Sequence, residues 1–244
     1  MGEVLSTERF PATRWSAIRA SAEVGAVTRK QGFARLVAAY WRPVYVYLRL
    51  RHRCTDSDAH DLTQSFFAQW WEQNTVATFD PARARFRTFV RMCLDRHLID
   101  HQRSESAKKR GGEWEKVQVD LAQLERDAAL VDPALHADPE RLFEAEWVRS
   151  LLQQALAALR ANYTSHSKEL DLALFDEYDL ASGERPSYAD LAAKHSVPIT
   201  TVTNRLASVR RALRANLAEC LRELTATEEE YRDESYRIFG VRPK

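Results

Sequence analysis

Three sets of side chains in this 244-residue sequence have types and spacings suited to chemistry. The first is ITTVTNR, where Thr200, Thr201, Thr203, Asn204 and Arg205 crowd the start of a helical stretch. Thr and Asn can hydrogen-bond base edges, a Thr methyl can meet a thymine methyl, and Arg can fork onto guanine or phosphate. Arg210, Arg211 and Arg214 follow and suit a phosphate backbone. The second set is FRTFVRMCLDRHLIDHQR with the turn before it. There Arg85, Arg87, Arg91, Arg96, Asp100 and Arg103 interleave with Phe86 and Phe89. Rings and guanidinium planes stack on bases that have left a duplex. For Phe89 the apolar periodicity favours a core position over a stacking one. The third set is DAHDLTQSFFAQWW, which places Asp58, Asp61 and Gln64 on one helix face at a spacing of three. Phe66, Phe67, Trp70 and Trp71 cannot all point one way, so at least three belong to a core. Phe67 is assigned with the acids to a protein-docking patch. His97 and His101 stand four apart beside Asp100, a spacing that can seat a metal. No Glu follows His97 and no third ligand sits at a diagnostic spacing, so no metal and no cofactor is assigned.

Helices must position these groups. Phe33, Leu36, Val37, Tyr40, Trp41, Val44 and Leu48 recur at helical spacing, with Pro43 expected to bend or break the run. Asp56 or Ser57 is a candidate cap for a helix over Asp58–Gln73. Asp80-Pro81 marks a turn before a helix carrying Phe89, Val90, Cys93, Leu94 and Leu98. Asp138-Pro139 is an N-cap followed by Pro at the first helical position. A further helix covers roughly Ser167–Leu180. Ser187 caps the first of two short helices joined through Val197 and Pro198, and Val202, Leu206 and Val209 give the second its inward face. The rival reading of this pair is an ordinary helical hairpin with a solvated polar face.

Composition agrees with helices. The chain holds only seven Gly and eight Pro, 45% hydrophobic residues and 29% charged ones, so the expected class is all-α. No apolar run is long enough to span a bilayer and no secretory signal is visible, so a cytoplasmic location is expected. Cys54, Cys93 and Cys220 show no C-x-x-C pairing and read as reduced thiols. The formal net charge of +1 conceals segregation. Arg83–Arg110 holds nine Arg/Lys against three acids, and Lys194–Arg222 holds six against Glu219 alone. Between them Glu113–Glu146 holds ten acids against three basic residues, and Glu228, Glu229 and Glu230 open an acidic tail. Two basic blocks can therefore each carry a local field, while the acidic linker and tail compete with phosphates for them. The expected layout is a first domain over residues 1–112, an acidic linker 113–137, a second domain 138–224 and an acidic tail 225–244.

Taken together these segments resemble the extracytoplasmic-function sigma factors of bacterial RNA polymerase, of the sigma-70 family. The likeness runs in order through FPATRWSAI, YWRPVYVYLR, DAHDLTQSFF, FRTFVRMCLDRHLIDHQR with KKRGG, and DPERLFEAEWVRSLL. It implies sigma domain 2 followed by a helix-turn-helix sigma domain 4. On that likeness Asp58, Asp61, Gln64 and Phe67 meet the clamp helices of the polymerase largest subunit. Arg85, Arg87, Arg91, Arg96, Asp100 and Arg103 hold the melted minus-ten strand. Thr200, Thr201, Thr203, Asn204, Arg205, Arg210 and Arg211 read the minus-thirty-five duplex. The family usually has an acid where His60 stands, which suggests that phosphorylation of Thr63 restores negative charge there. It commonly has Asn near Arg96, so minus-ten preference is expected to be altered. Implied partners are core RNA polymerase, through clamp helices and flap, promoter DNA, and an anti-sigma factor or Ser/Thr kinase. Two rivals remain: a stand-alone helix-turn-helix repressor or activator, and a metal-dependent phosphodiester-cleaving enzyme using His97, Asp100 and His101.

Overall fold

A computed structural model describes residues 17–22, 26–104, 131 and 138–240. Expectations placed on residues 1–16, on Lys108–Gly112 and on most of the linker lie outside these residues. The described chain contains nine α-helices and no strand. They are α1 (Ala17–Ala22), α2 (Ala26–Arg51), α3 (Asp56–Glu72), α4 (Phe86–Ser104), α5 (Pro139–Ser165), α6 (Glu169–Asp179), α7 (Tyr188–Lys194), α8 (Ile199–Glu223) and α9 (Glu228–Phe239). A 3₁₀ turn at Thr75–Thr78 links α3 towards α4. No described helix is long and apolar enough to cross a membrane.

Caps explain most boundaries. Asp138 accepts from the amides of Glu140 and Arg141 at 3.2 and 3.1 Å, with Pro139 inside the first turn. Ser187 and Asp190 form a reciprocal capping box at 3.0 and 3.1 Å. The α3 cap is Thr55, whose hydroxyl accepts from the Asp58 amide at 3.2 Å, rather than Asp56 or Ser57. Helix α2 continues unbroken past Pro43, because burial along it outweighs the one backbone hydrogen bond a proline removes. Helices α5 and α7 end alike, with Ser167 and Ser196 in the left-handed region at φ 52° and 55°. In both, the next amide (Lys168, Val197) returns to a carbonyl five residues back, at 2.9 and 3.0 Å. Gly32 lets α1 lie against α2: a Cβ there would stand 2.6 Å from the Ser21 nitrogen.

Two apolar cores form, and they divide inside helices rather than at the linker. The first gathers α1–α4 with the N-terminal half of α5 (Leu142, Phe143, Trp147, Leu151), the end of α8 (Leu217, Leu221) and Tyr231 of α9. The second gathers Leu159 and Tyr163 of α5, Leu174 and Phe175 of α6, Leu191 of α7, and Val202, Leu206 and Val209 of α8. Helices α5 and α8 therefore run through both. The segment after residue 224, expected as a tail, is mostly the helix α9, and Tyr231 seats it on the first core.

Buried ion pairs tie this arrangement together. Arg42 of α2 meets Glu146 of α5 at 2.8 Å, both side chains nearly fully buried. Arg87 of α4 meets Glu144 of α5 at 3.1 Å and also pairs with Glu234 of α9. Removing one partner of such a pair strands a charge away from water, so each pair fixes one helix relative to another.

Candidate nucleic-acid interface

Helix α3 buries one stripe and exposes another. Phe66, Phe67 and Trp70 enter the first core, with the Phe67 ring stacked on Trp41 at 5.8 Å. Phe67 is only 1% exposed, so it belongs to the core and not to a docking patch. Trp71 lies at the edge under the Arg29 guanidinium, 4.2 Å from its ring centroid. On the outer side Asp58 and Asp61 are exposed and Gln64 is half-buried, which leaves a short acidic ridge. Thr63 is 0% exposed and its hydroxyl donates to the Ala59 carbonyl at 2.7 Å. A kinase cannot reach that oxygen in this fold, which corrects its assignment as a phosphorylation site.

Helix α4 touches α3 through His97 and sorts the arginines of this region into two groups. Met92, Arg96, Ile99 and Asp100 are exposed along one face, with Met92 57% and Ile99 50% accessible. Apolar groups flanking a cation at helical spacing suit unstacked bases, whose faces are apolar and whose backbone is anionic. Met92 and Ile99 escaped the sequence reading because isolated apolar residues in a helix read as core. Arg103 lies on the same helix, and its side chain is outside the described set. Arg91 is partly engaged by Asp95 at 3.1 Å. Arg85 and Arg87 are different. Arg85 pairs with Asp233 and Glu234 of α9, both at 3.2 Å, and Arg87 is 6% exposed between Glu144 and Glu234. Arg87 is thus a buried structural cation here, not an open contact for a strand.

His97 is also spoken for. Gln69 Oε1 lies 2.6 Å from its Nδ1 and Ser65 Oγ 3.0 Å from its Nε2, so the ring bridges α4 to α3. Burial first, and His101 second, push His97 down to about 4, against the pull of Asp100. The ring is neutral at pH 7 and half-buried, not one of two exposed histidines. Among the described residues no group of three or more His, Cys, Asp or Glu could hold a metal ion.

The α7–α8 pair presents a second polar face. The turn from His195 to Pro198 sets α8 across α7, with Val202, Leu206 and Val209 all 0% exposed. Thr200, Thr203, Asn204, Arg211 and Arg214 are exposed at positions recurring every three to four residues, so they form one stripe; Thr201 is half-buried beside it. Thr203 holds its own helix, donating to the Ile199 carbonyl at 3.1 Å. Arg205 and Arg210 turn the other way. Arg205 pairs with Asp171 of α6. Arg210 forks onto both oxygens of Asp179 at 2.9 Å, which drives its pKa still higher, and it lies over the Tyr178 ring. These two arginines clamp α8 onto α6, so they leave the set of candidate DNA contacts. The signal that separates them from Arg211 and Arg214 is the helical phase relative to Val202, Leu206 and Val209.

Residues 36–108 of the chain match the Sigma-70 region 2 family. No curated protein and no solved structure matches the chain. The matched segment takes in the exposed ridge of α3 and all of α4. That family binds core RNA polymerase and promoter DNA, so the match supports a role in transcription initiation.

Proposed function

We propose that this chain is a sigma factor of the extracytoplasmic-function type, directing core RNA polymerase to a small set of promoters. The observation that carries the reading is the coincidence of the region 2 match with an exposed acidic ridge on α3 and an exposed Arg96 face on α4. In this reading Asp58, Asp61 and Gln64 dock on the clamp helices of the polymerase. Met92, Arg96, Ile99 and Asp100, with Arg103, hold the melted minus-ten strand. The α7–α8 pair is a helix-turn-helix that reads the minus-thirty-five duplex. Thr200, Thr203 and Asn204 face base edges, and Arg211 and Arg214 meet phosphates. The second unit is reached through α5, whose N-terminal half is anchored on the first by Arg42–Glu146.

The stand-alone repressor rival gives the α3 ridge no partner. The test is therefore retention of the chain on immobilised core polymerase. Asp58→Arg together with Asp61→Arg reverses the ridge charge without touching a buried group, and should weaken retention by at least about tenfold. Retention unchanged by that reversal, or absent in the unaltered chain, overturns the reading.

A further inference from the structure

The anion-binding groups at the start of α4, the Phe86 amide and Arg85 just before it, are already occupied by carboxylates of the same chain. Glu230 accepts from the backbone amide of Phe86, the first residue of α4, at 2.9 Å, and from Ala226 at 2.8 Å. Asp233 and Glu234 take Arg85 at 3.2 Å each, and Glu234 also takes Arg87. A free helix N-terminus with two adjacent arginines is an anion-binding arrangement. Here α9 fills it with three acids spaced along one face. Arg237 on the same helix reaches Glu144 of α5 at 2.8 Å, so α9 also bridges the α4 and α5 ends of the first core.

The attachment is uneven. Tyr231 is buried and lies under the Arg222 guanidinium at 4.1 Å, whereas Asp233 remains about half exposed and the segment Thr225–Thr227 before α9 is non-helical. Burial and the neighbouring Glu234 push the Glu230 carboxyl up, while the two amides it caps pull it down. The like charges gathered on α9 are therefore held by the cations they face rather than by one another.

From this contact set we infer that α9 is an autoinhibitory latch: it occupies the N-terminus of α4 and the neighbouring Arg85, and must swing away about Thr225–Thr227 before those groups can grip a DNA strand. The latch rests on the sigma-factor reading above and specifies its control. Closed, it lowers affinity for single-stranded DNA and keeps α4 and α5 in their packed arrangement. Docking on polymerase, or a strand that competes for Arg85, would release it.

Hydrogen exchange on the full chain tests this, with and without core polymerase and a pool of random single-stranded 12-mers. On binding, the amides of Glu228–Phe239 should lose protection by at least tenfold while those of α2 keep theirs. In parallel, Glu230→Gln with Asp233→Asn, which spares the buried Glu234, should raise affinity for the 12-mers three- to tenfold with the fold intact by circular dichroism. Binding with α9 protection unchanged, or a double variant that binds no better, overturns the latch alone. A chain that binds neither polymerase nor the 12-mers overturns the latch and the functional reading together.

Discussion

Replacing Arg87 by Ala separates a buried structural cation from an open DNA contact. Its side chain is 7% exposed and that of Glu234 2%, so Arg87→Ala leaves a carboxylate in the first core with only the half-exposed Arg85 for company. Breaking a buried pair by removing one partner costs about 3–5 kcal/mol. The guanidinium also packs over the Trp147 ring at 5.4 Å, and its stem loses that contact. Glu144 keeps Arg237, which limits the damage on that side, so the lower part of the range applies, about 3–4 kcal/mol. For a chain of this size each kcal/mol moves the melting temperature by roughly 2–4 °C, so calorimetry should show a fall of about 6–16 °C. Arg87→Met with Glu234→Leu removes both charges at similar volume and should recover most of that loss. A fall below about 2 °C for Arg87→Ala would refute the burial argument and return Arg87 to the surface.

Other outcomes follow from the same placements. Arg211→Ala and Arg214→Ala should each lower the slope of log affinity against log salt for duplex DNA by about 1, read by fluorescence anisotropy. Arg205→Ala and Arg210→Ala should leave that slope unchanged and lower thermal stability instead. Thr63→Glu forces a charge into a fully buried site and should unfold or severely destabilise the chain, while a Ser/Thr kinase should leave Thr63 unmodified in the folded protein, as read by mass spectrometry. His97 sits at about 4 when folded against an ordinary 6.5, so the unfolded chain takes the proton first. Stability from this group is therefore full above about pH 6.5 and falls as pH drops towards 4, by at most about 3 kcal/mol before allowing for the ring's partial exposure. His97→Gln should flatten that limb in urea titrations across the same window.

Local pattern made much of this fold legible. Val202, Leu206 and Val209 at spacings of four and three face inward, and Asp138-Pro139 and Ser187 start helices as their cap chemistry predicts. The surface stripe of Thr200, Thr203, Asn204 and Arg211 follows from the same phase. What could not be read was which cations already have partners. Arg85 meets Asp233 from 148 positions away, and Arg205 meets Asp171 from 34. A window of one or two helical turns holds no trace of such a partner, so basic residues in a run all look alike. The same blindness placed Phe67 on a surface and Thr63 within reach of a kinase, because both lie near Asp61 in sequence but roughly 120° and 160° away from it around the helix. Net acidity pointed to a competitor for the basic blocks. Only the fold places three acids of α9 against the start of α4 and Arg85.

The most direct measurement is transcription in vitro with purified core polymerase on fragmented genomic DNA, with and without the chain, mapping the 5′ ends of the RNA. The expected result is a small set of new start sites that share two spaced upstream elements and disappear with Arg96→Ala, which truncates an exposed side chain. Start sites identical with and without the chain, or new ones indifferent to Arg96, would contradict the assignment of α4 as the strand-holding surface of a sigma factor.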